Sequence, residues 1–311
     1  MSTRSGSISS APPRPRQIHR RVSCPVLSRS TLSSILKPPT NHLERKRRPS
    51  MSARRQEDGT LVIQWVVDTR KLWPKALRTV QLTTYAKRAL DLLPKKEQVD
   101  VLKYVHVKDA KMALVSRLLK WYLISRYAPC AWDAATPTRN KNTKPVYIAP
   151  DGSEPVIFNV THQAGLVVLI AAVRPKPGMS VGVDIVCPTE RRDKDLGLIS
   201  KDGWKEYVSM HEEVLSQPEC TSLNRLPFKD LDHRLRYFYT LWCLREAYVK
   251  MTGEALLAPW LKRLEMRYFA PPEDAPISQT EIWFQGRLLE DVDFSDYAYQ
   301  MLSQKNWQTV L

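Results

Sequence analysis

The sequence predicts an α+β protein made of two similar halves, each with strands packed on one long helix. Apolar residues recur at helical spacing in residues 109–128 and again in residues 235–251. Short apolar runs rich in β-branched residues stand on both sides of each helical segment, as expected for strands. Two packed units leave a junction, and binding sites often form at such junctions. We therefore expect the functional site to lie between the halves.

Composition divides the 311 residues into a tail, residues 1–56, and two halves, residues 57–178 and 179–311. Residues 1–50 hold eleven Lys and Arg against one Glu, which is +10 of the total net charge of +16. The Ser-, Pro- and Arg-rich tail has no hydrophobic periodicity and is expected to be disordered. A mitochondrial presequence, a nuclear signal and a nucleic-acid-binding arm are the alternatives for the tail. A native start at Met51 is a further hypothesis.

Several classes of protein are disfavoured by what the sequence lacks. The five cysteines are scattered without CxxC spacing, so neither a disulfide framework nor a zinc site is expected. No apolar run reaches about 18 residues, so no membrane span is expected. The part after the tail is mildly basic, which suits polyanionic ligands and acidic partner surfaces. A cytoplasmic protein is expected, with mitochondrial targeting as the alternative.

In the first half, the sequence predicts strands and helices in alternation. Residues 61–68 (LVIQWVVD) form a predicted strand, and residues 82–93 and 94–103 form two short predicted helices. The long helix at 109–128 follows. Residues 133–155 are then expected to be a loop with a short strand at PVYI, before two strands, VIFNVTH and GLVVLIAAV.

In the second half, a strand VGVDIV opens the predicted fold. Residues 188–235 look charged and irregular, apart from a helix predicted at 204–215. The long helix at 235–251 follows, and Gly253 is expected to help end it. Three closing strands are predicted within RLEMRYFA, TEIWFQGRLL and DYAYQML.

Three segments place polar groups beside apolar runs: FNVTHQ, VGVDIV and LWCLREAYVKMTGEAL. Asp184 stands in an apolar strand, where a carboxylate is costly unless it is paired or binds a metal. Gly182 leaves room there for a ligand or another backbone. Glu246 and Lys250 share one helix face. The plainer interpretations are a strand-end cap for Asp184, an ordinary surface pair for Glu246 and Lys250, and a structural hydrogen bond for His162.

Basic residues mark the long helix and the loop of the first half. Lys108, Lys111 and Arg117 belong to the helix. Arg139, Lys141 and Lys144 belong to the loop before PVYI. The two hypotheses are solvated surfaces and a clamp for several phosphates.

These segments resemble the Sfp-type 4′-phosphopantetheinyl transferases, in particular the broad-range fungal members. FNVTHQ, VGVDIV and WCLREAYVK are similar to three motifs of that family, and HVKDAKMALVSRLLK is similar to its N-terminal helix motif. The resemblance spans residues 61–302. Thr161 replaces a usual serine, Arg245 a usual lysine, and Val186 stands where bacterial relatives have an acidic residue.

The resemblance implies a pseudo-duplicated fold with a coenzyme A site between its halves. It implies Mg²⁺, with Mn²⁺ as the alternative, bound by Asp184, Glu246 and Gln163, and Glu246 as the general base. Lys250 would contact the pyrophosphate and assist the leaving group. Further contacts to coenzyme A would come from the following basic residues: Lys108, Arg139, Lys144, His162 and Arg245.

The activity implied by the resemblance is transfer of 4′-phosphopantetheine from coenzyme A to a serine of a carrier protein domain, with release of 3′,5′-ADP. The carrier domains would belong to fatty-acid synthase, polyketide synthases, peptide synthetases or aminoadipate reductase, and the enzyme would act as a monomer. A basic nucleic-acid-binding or scaffold protein is the competing hypothesis for the tail, but no nucleic-acid-binding motif follows it. A degenerate transferase that binds coenzyme A without turnover is the third hypothesis.

Overall fold

The computed structural model describes residues 50–142, 144–227, 230–254, 258–292, 294 and 308–310. The elements of the first half are β1 (Ser50–Arg55), β2 (Leu61–Asp68), α1 (Leu82–Tyr85), α2 (Lys87–Leu90), α3 (Lys95–Leu102), α4 (Val107–Tyr127), β3 (Thr138–Arg139), β4 (Pro145–Val146), β5 (Val156–Gln163) and β6 (Leu166–Val173).

The second half follows from β7 onward. Its elements are β7 (Asp184–Val186), α5 (Pro188–Asp202), α6 (Trp204–Ser209), α7 (Gln217–Asn224), α8 (Leu231–Thr252), β8 (Leu264–Arg267), β9 (Glu281–Phe284), β10 (Arg287–Leu288) and β11 (Gln308–Val310). Short 3₁₀ turns occur at Thr79–Gln81, Trp132–Ala134, Leu261–Arg263 and Ile277–Gln279. The mixture of long helices and antiparallel strands confirms the α+β class.

The sheet of the first half has four antiparallel strands in the order β1-β2-β6-β5. All eight residues of β6 are buried, because both faces of this strand are covered. Val167, Leu169, Ala171 and Val173 join the core that contains α4, whereas the alternate residues of β6 face the second half. The continuous apolar run in the sequence of β6 therefore reflects two packed faces.

The junction between the halves is a small apolar core of its own. Leu166, Val168, Ile170 and Ala172 of β6 pack there against the segment 181–187, which contains β7. A separate core forms in the second half around α8 and β8. Because β6 belongs to the first core and to the junction, the two halves share buried surface.

Three predicted features of the fold need correction. Residues 50–55 were expected within the disordered tail, but they form β1, which pairs in register with β2. Residues 1–49 of that predicted tail lie outside the described residues. Residues 188–235 are mostly helical rather than irregular, because α5, α6 and α7 contribute apolar side chains such as Ile199, Tyr207 and Leu223 to the core of the second half. The predicted helix at 204–215 ends at Ser209.

The two long helices are confirmed, with small shifts of their ends. α8 begins four residues before the predicted start, at Leu231, because the Asp230 carboxylate caps it by accepting from the His233 backbone N–H at 2.5 Å. Gly253 ends α8 in a left-handed conformation with φ of 78°, as predicted. The predicted closing strand DYAYQML lies outside the described residues. Among those residues, no helix combines the length and the apolar character needed to cross a membrane.

Candidate active site

The first part of the site is a row of alternate side chains on β5 that bonds to the segment 183–187. The amide oxygen of Asn159 accepts from the backbone N–H of Val183 at 3.1 Å. Thr161 donates its hydroxyl to Asp184 at 3.0 Å. Gln163 accepts from the backbone N–H of Cys187 at 2.9 Å. Because alternate residues of a strand share one face, this row brings FNVTHQ and VGVDIV together.

Asp184, Thr161 and Lys250 meet at the junction of the halves. The Lys250 Nζ lies 2.5 Å from the Asp184 carboxylate and 3.3 Å from the Thr161 hydroxyl. The side chain of Asp184 is 9% exposed and that of Lys250 is 31% exposed. The Asp184 carboxylate is nearly buried in an apolar strand, and the ion pair with Lys250 compensates its charge there.

Glu246 lies one turn before Lys250 on α8 and is half-buried. Burial raises the pKa of the Glu246 carboxyl, the nearby negative charge of Asp184 raises it further, and Lys250 lowers it. Two carboxylates and one ammonium thus influence each other across the junction. A carboxylate with a raised pKa is a stronger base than an ordinary surface glutamate.

The side chain of Gln163 is held at both ends. Its oxygen accepts from the Cys187 N–H, and its nitrogen donates to the Glu190 carboxylate at 3.1 Å. Glu190 stands in the first turn of α5, which follows β7 directly. These two bonds fix the orientation of the amide, because the backbone N–H requires the oxygen and the carboxylate requires the nitrogen.

His162 lies on the opposite face of β5 from this row. Phe158 and Val160, which alternate with it on that face, pack in the core that contains α4. The His162 residue is itself exposed at the end of the strand. Its pKa is lowered, first because neighbouring atoms partly desolvate the ring and also because Lys250 and Lys120 are positively charged, while Asp109 opposes this effect.

Lys144 bridges the halves. Its Nζ donates to the carbonyl of Met251 at 2.8 Å and contacts the carbonyl of Val181 at 3.4 Å. Met251 follows Lys250 in α8, so the predicted phosphate contact lies near the cluster but already bonds to main-chain carbonyls. Burial lowers the pKa of Lys144, and Glu154 partly offsets that shift.

Two other predicted contacts lie at the surface of the first half. Lys108 is exposed in the first turn of α4, and Arg139 is exposed on β3. Lys111, one turn after Lys108, is only 8% exposed, and desolvation lowers its pKa. Of these two lysines of α4, Lys111 is therefore largely removed from water, whereas Lys108 remains in solvent.

Arg245 does not reach this cluster, so the predicted contact with coenzyme A needs correction. It is 1% exposed and bonds to both oxygens of Glu219 at 2.7 and 2.6 Å. It also donates to the carbonyls of Leu261 and Leu264. Successive residues of an α-helix are rotated by about 100° about its axis, so Arg245 points in a different direction from Glu246.

The residues of the cluster fit a divalent cation with few protein ligands. Asp184 and Glu246 supply oxygen donors, and the negative charge of Asp184 on Glu246 is the repulsion that a cation would relieve. The amide oxygen of Gln163 already accepts from the backbone N–H of Cys187, so it would bind the cation through its second lone pair. Within the described ranges, no group of three or more His, Cys, Asp or Glu is arranged to hold a metal. Mg²⁺ needs no such group, since it commonly keeps water and substrate oxygens.

Two residues of the site were missed at the level of sequence. Asn159 begins the polar alternation that continues with Thr161 and Gln163, and this period of two was a usable signal. Glu190 gave no comparable signal, because the helix that carries it was not predicted. Its contact with Gln163 depends on how α5 follows β7.

Two models of protein families match most of the chain. Residues 82–174 match the family model described as 4′-phosphopantetheinyl transferase, N-terminal. Residues 180–306 match the model of the 4′-phosphopantetheinyl transferase superfamily. The two matches contain the three motifs that meet at the junction.

Individual relatives are similar over most of the chain. The 4′-phosphopantetheinyl transferase 1 of Fusarium mangiferae is 54% identical over 243 residues, which are 77% of this chain and 83% of that protein. The 4′-phosphopantetheinyl transferase NpgA of Emericella nidulans is 34% identical over 68% of each chain. The L-aminoadipate-semialdehyde dehydrogenase-phosphopantetheinyl transferase of Mus musculus is 26% identical over 60% of this chain and 53% of that protein. The chain therefore belongs to the 4′-phosphopantetheinyl transferases, enzymes that act on carrier protein domains, and its nearby relatives are fungal.

Proposed function

We propose that this enzyme transfers 4′-phosphopantetheine from coenzyme A to a carrier-domain serine and releases 3′,5′-ADP, with Mg²⁺ or Mn²⁺ at Asp184 and Glu246. The observation that carries the proposal is the convergence of Asp184, Glu246 and Lys250 at the junction of the halves. The pseudo-duplicated fold belongs to the same proposal. Its support is that each half sets one long helix, of 21 or 22 residues, against antiparallel strands.

Glu246 is the general base of the proposed reaction. A serine hydroxyl is a weak nucleophile, so a carboxylate that accepts its proton during attack lowers the barrier. The serine oxygen forms a bond to the β-phosphorus of coenzyme A, and the bond from that phosphorus to the bridging oxygen breaks. The hydroxyl proton passes to Glu246, and the electron pair of the broken bond leaves on 3′,5′-ADP.

Lys250 stabilises the charge that develops on the leaving phosphate. Its ammonium has three donors, and contacts to Asp184 and Thr161 account for two of them. The third can reach a phosphate oxygen without loss of the ion pair. A cation held in this way needs little reorganisation as negative charge forms.

Bound at the two carboxylates, a divalent cation would neutralise pyrophosphate oxygens and offset the repulsion between Asp184 and Glu246. Thr161 keeps the Asp184 carboxylate oriented through its hydroxyl. Gln163 takes part through the segment 183–187, which it fixes to β5. Thr161 and Gln163 therefore hold Asp184 in position as a metal ligand. This role does not require Gln163 to bind the metal itself.

The carrier is the acidic partner of a mildly basic protein. The mouse relative is named for aminoadipate-semialdehyde dehydrogenase, and we propose the corresponding reductase of lysine synthesis as one carrier substrate. Fatty-acid, polyketide and peptide synthases are the other candidates. Complementary charge favours such encounters mainly through the association rate. We propose a cytoplasmic monomer.

The test is mass spectrometry of purified apo carrier domains after incubation with the enzyme, coenzyme A and Mg²⁺. The wild type is expected to add one phosphopantetheinyl group to the carrier serine. Glu246→Gln should retain coenzyme A binding and lose at least about a hundredfold in rate, the usual contribution of a positioned base. The matched control is Glu273→Gln, which changes a partly exposed glutamate paired with Arg236 in the same half.

Two results would contradict the proposal. Modification by Glu246→Gln at the wild-type rate would remove Glu246 as the base. A wild type that neither modifies any of several carriers nor binds coenzyme A would overturn the proposed reaction itself.

A further inference from the structure

The most exposed apolar side chains in the described part of the first half lie on two neighbouring loops. Leu77 and Val80 are 77% and 61% exposed on one loop, and Val105 is 86% exposed on the other. Tyr104, beside Val105, is 39% exposed. The Thr79 hydroxyl lies 3.5 Å from the carbonyl oxygen of Val105, so the two loops are in contact. Leu77, Val80, Tyr104 and Val105 are called the apolar patch below.

The loop that presents Leu77 and Val80 has a fixed backbone. The amide oxygen of Gln81 accepts from the backbone N–H groups of Leu77 and Arg78 at 2.8 and 2.9 Å. Thr79, between the two exposed side chains, is 7% exposed and anchors the loop. A partner would therefore not have to order this backbone on binding. Single exposed apolar side chains are common on protein surfaces, whereas a group of them marks an interaction site.

The charges of the two loops are positive. Residues 69–81 and 103–108 contain no acidic residue, and their basic residues are Arg70, Lys71, Lys75, Arg78, Lys103 and Lys108. Of the flanking carboxylates, Asp68 and Asp100 are paired with cations at 2.7 and 2.9 Å, and Asp109 has no ion pair in the described part of the chain. Lys75 and Arg78 are exposed and also lack an ion pair there. A second copy of this surface would be repelled, so the charge favours an acidic partner.

The apolar patch lies at the end of the first half that carries the site. The first loop begins at Thr69, whose backbone N–H and hydroxyl donate to the carbonyl of Gly165 at 2.7 and 2.8 Å. The second loop ends where α4 begins, two residues after Val105, and the Met112 sulfur of α4 accepts from the Gly165 N–H at 3.2 Å. Gly165 stands in the turn between β5 and β6, two residues after Gln163. Both loops are therefore attached to this turn, beside the candidate active site.

We propose that the apolar patch, with Lys75 and Arg78 at its edge, is a docking surface for the acidic carrier domain. This proposal rests on the proposed function. At a helix rise of 1.5 Å per residue, Val105 lies within about 15 Å of the turn that Met112 contacts. A carrier domain of about 100 residues is roughly 30 Å across. One carrier can therefore cover the apolar patch while its serine lies at Glu246.

The experiment measures steady-state kinetics with an apo carrier domain that the wild type modifies. Leu77→Ser combined with Val105→Ser is expected to raise the KM for the carrier about tenfold, because two apolar contacts are lost. The same double variant should keep the kcat and the KM for coenzyme A of the wild type. Leu288→Ser is the control, since it removes an apolar side chain, 41% exposed, from β10 of the second half, and it should leave all three constants unchanged.

A charge reversal tests the edge of the apolar patch. Arg78→Glu is expected to raise the KM for the carrier about threefold at low salt and by less at high salt, because salt screens exposed charges. Arg54→Glu is the control, because it changes the net charge equally at another exposed arginine of the same half. Arg54 lies on β1 opposite Val62, at the other end of β2 from Thr69. The control should leave the KM for the carrier and its salt dependence as in the wild type.

The outcomes separate this proposal from the proposed function. If the wild type modifies the carrier and the double variant has the wild-type KM for it, the docking surface is overturned and the proposed function stands. A double variant that loses kcat or affinity for coenzyme A, with the KM for the carrier unchanged, would also overturn the docking surface. If the wild type neither binds coenzyme A nor modifies any carrier, the proposed function fails as well.

Two other occupants of the apolar patch are tested with the same double variant. Co-sedimentation with vesicles of phosphatidylcholine and phosphatidylserine would reveal binding to a membrane, and analytical ultracentrifugation would reveal a dimer. We expect neither in the wild type. Either one, abolished in the double variant while the KM for the carrier stays unchanged, would assign the apolar patch to that occupant and overturn carrier docking there.

Discussion

At the scale of single residues, the buried pair of Arg245 and Glu219 shows how a motif position can serve structure. Glu219 is 1% exposed and accepts from the backbone N–H groups of Ser216 and Met266 as well as from Arg245. Burial raises the pKa of Glu219, while Arg245 and these N–H groups lower it. The guanidinium also donates to carbonyls near β8. The pair therefore connects α7, α8 and β8.

Arg245→Met is expected to lower the free energy of unfolding by about 3–5 kcal/mol, because Glu219 would be left charged and unpaired in the interior. Urea denaturation of the variant and of the wild type measures this change. The folded protein should bind coenzyme A with unchanged affinity, since Arg245 does not reach the cluster. A loss of that affinity at a temperature where the variant is folded would restore Arg245 as a binding residue.

At the scale of elements, the site depends on how closely the segment before β7 approaches α8. A Cβ atom on Gly182 would lie 2.1 Å from the carbonyl oxygen of Ala247 and 2.6 Å from the backbone nitrogen of Met251. Both atoms belong to the helix that carries Glu246 and Lys250. The glycine therefore allows the backbone contact that brings Asp184 within reach of Lys250.

Gly182→Ala is expected to reduce stability by about 1–3 kcal/mol or more, as overpacking against rigid backbone does. It should also lower transferase activity in the folded protein, because β7 and α8 must separate. Gly197→Ala on α5 is the matched control, since a Cβ there meets nothing within 4 Å. The control should gain up to about 1 kcal/mol from helix propensity. Thermal unfolding and carrier modification measure both effects, and a Gly182→Ala variant as stable and active as the control would contradict this account.

At the scale of the whole molecule, the halves are joined by shared packing and by the polar row on β5. The junction core takes alternate residues of β6 on one side and residues 181–187 on the other. Asn159 is 4% exposed and satisfies the backbone N–H of Val183, which is itself buried. Lys144 adds a link from the loop of the first half to the end of α8. These contacts predict that the described halves unfold together.

Asn159→Ala is expected to cost about 1–3 kcal/mol, because a buried N–H group loses its acceptor. Hydrogen exchange followed by mass spectrometry should show faster exchange in β6 and in α8 alike. Thr138→Ala, on the exposed strand β3, is the control and should leave both unchanged. Faster exchange confined to one half would show that the junction does not couple the two.

The sequence by itself determined much of this protein because several of its patterns are local. The long helices follow from apolar spacing, and β2, β5 and β6 follow from runs of β-branched residues. The α+β class and membership in the transferase family followed from these elements and three short motifs. Asp184 and Lys250 could be selected in advance, since a polar group in an apolar strand or helix face demands a partner.

The tertiary structure decided what each of those residues contacts. Whether Arg245 bonds to ligand or to Glu219 depends on which way α8 turns it, and Glu219 is 26 residues away in the chain. β1 forms because β2 offers it a free edge, which tail composition does not reveal. The contact of Glu190 with Gln163 arises from neighbouring elements as well. Local patterns fix periodicity, whereas partners and burial come from segments distant in sequence, and these set the electrostatics of the site.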